Sequence, residues 1–142
     1  MAADWLRTKH LGTDQYFFGS VLHLLIYRIL PNTPEDNLTE IWALCKQYIK
    51  DHQIKVCFGG MTLSMITKPT AAHSQFPRLK GKGVEVKAFG AVLRHVWQSY
   101  HDPNDMVHKK VALALKCSVH MEELMTTHQG DWRFPPEAAD AM

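Results

Sequence analysis

A mainly α-helical fold, a compact bundle of four main helices with one small β-hairpin, is what the sequence predicts. Three observations predict it. Four stretches carry apolar residues at the three- and four-residue intervals of a helix. Prolines and cap-forming residues stand at the joints between them (Pro31, Thr33-Pro34, Asp102-Pro103). Only the run "IKVCFGGMTLSMI" changes to alternation. At 142 residues and 16.2 kDa the chain is long enough for one well-buried core and short for two. The expected organisation is therefore a single helical domain over 1–142, with its core at about 13–128, a lead-in at 1–12 and a tail at 129–142.

The elements follow in order. Thr13-Asp14 offers an N-cap and an acidic first turn for a helix over about 14–30. Its apolar residues go nearly all the way round, so it should lie central in the core or be covered by a partner. Pro31 stops it. Thr33 then caps a second helix with Pro34 at its first position and Asp36 closing an approximate capping box. That helix carries Leu38, Ile41, Trp42, Cys45, Tyr48 and Ile49 at helical spacing. In the alternating run, Gly59-Gly60 predicts the turn of the hairpin, with a short helix after Gly60 as the rival. Residues 67–79 read as a loop. A third helix is expected from about 83 to 100, with Phe89, Val92, Leu93, Val96, Trp97 and Tyr100 along one stripe. "DPND" (102–105) forms another approximate capping box, with Pro103 opening a fourth helix over about 103–128. Val107, Val111, Ala114, Leu115, Ser118, Met121 and Met125 would be its buried set. The tail, rich in proline and alanine, is expected to be irregular.

Composition removes several function classes. A net charge of +2 does not by itself imply nucleic-acid binding, so an electrostatic footprint must be local. Three cysteines (Cys45, Cys57, Cys117) form no CxxC pair and are odd in number, which argues for a reducing compartment. No secretory h-region opens the sequence, and the greasiest run, Tyr16 to Leu30, is interrupted and too short to span a bilayer. The expectation is an intracellular protein, cytoplasmic or nuclear, with no membrane partner.

The chemistry-bearing stretch is "FPRLKGKGVEVKAF", 76–89. Arg78, Lys80, Lys82 and Lys87 lie within ten positions, and Gly81 and Gly83 would let backbone N–H groups approach an anion at a helix start. The spacing is not that of a P-loop. A solvated basic loop is the other reading. Glu85 falls on the apolar side of the third helix, so its carboxylate is a first-turn acid at a wet helix end, a functional group or one half of a buried ion pair. Lys109 and Lys110, with Lys116 further on, would extend a basic face at the start of the fourth helix, where cations oppose the helix dipole. The histidines form no HxxxH or HExxH pair, and no cysteine stands at zinc-ligand spacing from them. Cys45 reads as a core residue. Trp132 and Phe134 in the tail are the aromatic candidates for a protein partner.

The order "DWLRTKHLGTDQYFFGSVL … TPEDNL … FGGMTLSMIT … PRLKGKGVEVKAFGAVLRHVW" resembles a region of uncharacterised, repeatedly copied protist open reading frames. Those in turn resemble DDE transposases of the RNase H-like type. The resemblance covers roughly residues 4–128. It implies a metal-dependent nuclease ancestry in which Asp4 and Glu85 would be candidate catalytic carboxylates on Mg²⁺. The third carboxylate and the multistranded sheet of such a site are not in this sequence, so the resemblance implies a fragment or repurposed remnant, and no other cofactor is expected. The expected function is a nucleic-acid-associated helical domain without complete catalytic machinery, using Arg78, Lys80, Lys82 and Lys87, helped by Lys109 and Lys110. The alternatives are a protein-interaction or homo-oligomerisation module and, as a minor third, a metal-dependent nuclease fragment.

Overall fold

The computed structural model describes residues 6–67 and 77–127. The fold is mainly α. The first helical rod consists of an α-helix, α1 (Gln15–Leu24), flanked by wide-turn π-helical segments Leu6–Asp14 and Leu25–Ile29. Then come α2 (Pro34–Asp51), two-residue strands β1 (Ile66–Thr67) and β2 (Arg78–Leu79), α3 (Gly83–Tyr100) and α4 (Met106–Thr127). Leu6–Asp14 is thus already helical, where an extended lead-in was expected. Asp14 has helical dihedrals (φ −66°, ψ −37°) in the middle of the rod and is not the first-turn acid. The reason is tertiary: Lys9, His10 and Asp14 are buried and find polar partners within the bundle. In a π-type turn, residues five apart come close together, and Lys9 and Asp14 are joined in that way.

Most of the rod's apolar surface is absorbed by the chain's own core. Phe18, Val21, Leu22, Leu25 and Ile26 are all at most 1% exposed, while Leu11 and Tyr16 stay 38% and 39% exposed. Its C-terminal carbonyls are satisfied by the wholly buried Asn37 of α2, whose Nδ2 reaches the Ile26 oxygen at 2.7 Å and the Leu30 oxygen at 3.2 Å. α2 starts as expected, with the Thr33 hydroxyl accepting from the Asp36 N–H at 3.2 Å.

The hairpin expected around Gly59-Gly60 does not form. Neither glycine has positive φ, which a primed two-residue turn requires. Most apolar residues of this run turn to the core, Val56 excepted at 56% exposure: Phe58 is buried edge-on to Phe89 with ring centroids 5.4 Å apart, and Met61, Leu63 and Met65 pack against the same core. The antiparallel pairing lies elsewhere, with Ile66 opposite Leu79 and Thr67 opposite Arg78.

α3 has the expected bounds and runs through the centre of the molecule, with Val86, Phe89, Val92, Leu93, Val96 and Trp97 wholly buried. α4 begins three residues later than expected. Asn104 donates its N–H to Asp102 Oδ1 at 2.9 Å in a turn, and Asp105 is the cap, accepting from the Val107 and His108 N–H groups at 2.8 and 3.1 Å. Those bonds, the His108 one first, hold the Asp105 carboxyl below the usual carboxylate range. Of the expected buried set on α4 only Leu115 is fully buried. Val107 is 60% exposed and Ala114 is exposed, because neighbours cover the helix on one side only. Among the described residues no helix is long and apolar enough to cross a membrane.

Candidate functional site

The basic segment is built outward from a close contact. Gly19 brings α1 directly against the backbone of β2: a β-carbon at Gly19 would lie 2.7 Å from the Leu79 nitrogen. Leu79 is wholly buried, and strand alternation then turns Arg78 and Lys80 outward on either side of it. The Lys80 N–H donates to the Met65 carbonyl at 2.7 Å, extending the strand contact by one bond. Gly81 is where the Phe58 ring crosses the chain, since a β-carbon there would meet that ring at 2.5 Å. Lys82 is the N-cap of α3, and its own N–H donates to Glu85 Oε1 at 2.8 Å. Arg78, Lys80 and Lys82 are thus three exposed cations within five residues, and none of them joins an ion pair among the described residues.

The other candidates part company with this corner. The ammonium of Lys87, one turn into α3, lies 3.5 Å from Glu122 Oε1, so its charge is partly neutralised. Lys109 and Lys110 are exposed, but α3 and α4 run antiparallel: Trp97 Nε1 donates to the His108 carbonyl at one end, and Lys87 meets Glu122 near the other. At 1.5 Å per residue this sets Lys110 about 20 Å along the helix pair from Lys82. Glu85 is half-buried and serves as the acid of the first helical turn. Asp4, Trp132 and Phe134 lie outside the described residues.

A second constellation has no local sequence signal. Lys9 is buried and offers its ammonium to Asp14 Oδ2 at 2.6 Å, Ser118 Oγ at 3.2 Å and Glu122 Oε2 at 3.4 Å. Two hydrogen bonds and one ion pair thus tie the ammonium between the rod and α4. His10 Nε2 lies 2.6 Å from Glu122 Oε2. Burial acts to raise the Glu122 carboxyl, but His10, Lys9 and Lys87 together outweigh it and hold the group below its ordinary range. The cluster floors a groove of about 740 Å³ between α3 and α4, walled by Phe18, Val84, Ala88, Ala91 and Val119. Partners 104 to 112 residues apart in sequence make this site, which is why spacing did not disclose it.

Among the described residues no three histidines, cysteines, aspartates or glutamates stand together as metal ligands, and one oxygen of Glu85 is already engaged by the Lys82 N–H. Comparison with protein-family models, with curated proteins and with solved structures returned no match.

Proposed function

We propose that this domain associates with nucleic acid by contacting phosphates through Arg78, Lys80 and Lys82. One observation carries the reading: three exposed cations, without acidic partners among the described residues, on a short strand and helix start that Gly19 and Phe58 fix against the core. Fixed cations lose less side-chain and backbone freedom on meeting a polyanion than a mobile loop does, which favours binding. The resemblance to transposases implies the same class of partner, and the domain would be a non-catalytic remnant of one. Three free thiols, Cys45, Cys57 and Cys117, accord with the cytoplasm or nucleus. Lys87 and the Lys109-Lys110 pair contribute little in this reading, because the first is paired with Glu122 and the second is remote.

The test is fluorescence anisotropy of labelled duplex DNA and structured RNA across a salt series. Three phosphate contacts predict a slope of log K against log salt of about −2.7 on duplex, and Lys80→Ala/Lys82→Ala should reduce its magnitude by about 1.8. Lys109→Ala/Lys110→Ala should leave it nearly unchanged. No binding at low salt, or equal losses in the two double variants, would remove the corner as a phosphate site.

A further inference from the structure

α4 is poorly accounted for by its own bundle. Of its 22 residues only Leu115 is fully buried. Met106 and Leu113 are 63% and 61% exposed, and Cys117 is exposed. These three and the half-buried Leu124 recur at intervals of seven, four and seven residues. At 100° per residue that puts them within about 40° of one another, on the side opposite Leu115. The stripe extends over 19 residues, a rise of about 27 Å. Val107 at 60% exposure, with Ala114 and Met121, broadens it along one flank. Lys110 and His120 interrupt the stripe in its two seven-residue gaps; solvent-facing apolar residues scattered singly are ordinary, but four in register along one helix face are not.

The charges on α4 are polarised along its length. Lys109, Lys110 and Lys116 occupy the N-terminal half, which has no acidic residue; Glu122 and Glu123 occupy the C-terminal half, which has no lysine or arginine. Glu122 turns inward to the Lys9 cluster, and Glu123 is exposed. A partner for this surface must therefore present a helical apolar stripe of similar length, with basic and acidic ends reversed relative to α4. A second α4 running in the opposite direction meets each condition.

We infer that α4 is the seam of a two-fold homodimer, packed antiparallel on its own copy. The two-fold axis passes between Leu113 and Cys117. Met106 then faces the copy's Leu124, Leu113 faces its Cys117, Lys110 lies beside its His120, and Lys109 approaches its Glu123. Antiparallel helix dipoles reinforce the arrangement, whereas a parallel pair would bring the lysine-rich ends together. Lys116 is the one charge set near its own copy at the axis, a solvated like-charge contact costing little beside the buried stripe. The seam uses none of Arg78, Lys80 or Lys82, so it stands independently of the nucleic-acid reading.

The experiment is size-exclusion chromatography with light scattering on the full chain from about 1 μM to about 500 μM, a range that brackets micromolar dissociation constants. It is joined to air-oxidised disulfide trapping. The wild type should give twice the 16.2 kDa chain mass at the upper concentrations. Leu113→Lys places a charge in the seam twice per dimer and should weaken association at least about 30-fold. The side chain is exposed, so the variant's far-UV circular dichroism and melting should match wild type. Leu113→Cys should form an inter-chain disulfide with the native Cys117 of the copy. Met106→Cys/Cys117→Ser should not link, because the two 106 positions lie at opposite ends of the seam. A wild-type monomer at every concentration would overturn the inference. So would a dimer indifferent to Leu113→Lys, or a 106–106 disulfide, which marks the parallel arrangement.

Discussion

A β-carbon added to Gly19 would lie 2.7 Å from the Leu79 nitrogen and 2.8 Å from two Arg78 backbone atoms, none of which belongs to a flexible side chain. Gly19→Ala should therefore lower stability by about 1–3 kcal/mol by overpacking, although alanine is the better helix former by about 1 kcal/mol. Gly90→Ala is the control. Its β-carbon meets the Phe18 ring at 3.3 Å, and a ring edge can yield where a backbone cannot. Thermal melts of the two variants should separate them, and a Gly19→Ala protein as stable as wild type would deny the close contact that seats β2. Sequence discloses such residues unevenly. Cys45 reads correctly as core from its place in an apolar stripe, and burial, reinforced by the nearby Cys57, pushes its thiol up to about 12. For Glu85 the spacing to Phe89 and Val92 left a first-turn acid, a functional carboxylate and a buried ion pair open, and the structure places it in the first turn of α3 with Oε1 accepting from the Lys82 N–H. Gly19 gives no such sign, because its constraint is a strand about sixty residues away.

Among the elements, the cap and stripe of α2 and the span and stripe of α3 were legible, since these signals are local. α4 was legible as a helix but not in its orientation. It is held to the rod through Lys9, His10, Ser118 and Glu122 as much as by Leu115. This gives docking a pH dependence with a definite sign. The folded state holds Glu122 below its ordinary value of about 4.5, so the contribution is complete at neutral pH. It is lost as pH falls from that ordinary value down through the depressed one. Glu122→Gln leaves the buried Lys9 short of a partner and should cost about 2–3 kcal/mol at pH 7, somewhat under the figure for a fully buried pair because the carboxylate is 17% exposed. By about pH 3 the difference from wild type should have narrowed, as the wild-type carboxylate takes up its own proton. Urea titrations at both pH values measure it, and a penalty of constant size would show that charge is not what docks the helix.

For the whole molecule, the apolar seam and the stability of the fold are linked by mass action. A dimer that binds only folded chains raises the unfolding midpoint with protein concentration. The wild-type midpoint should climb across a roughly hundredfold dilution series in scanning calorimetry, and that of Leu113→Lys should stay flat. A flat wild-type series would argue for a monomer whose outer helix face is simply solvated. By itself the sequence determined the mainly α class, the joints at Pro31-Thr33-Pro34 and 102–105, the start of α2, the bounds of α3 and most of the core residues. Each of these follows from caps, turns and periodicities complete within a few residues. The tertiary structure alone decided four things: that Leu6–Asp14 is part of the first rod, that β1 pairs with β2 and not across Gly59-Gly60, which cations are neutralised, and which face of α4 is left uncovered. Those outcomes depend on which surfaces and charges, up to about a hundred residues apart, satisfy one another once the core has closed, and no local pattern in the chain encodes that choice.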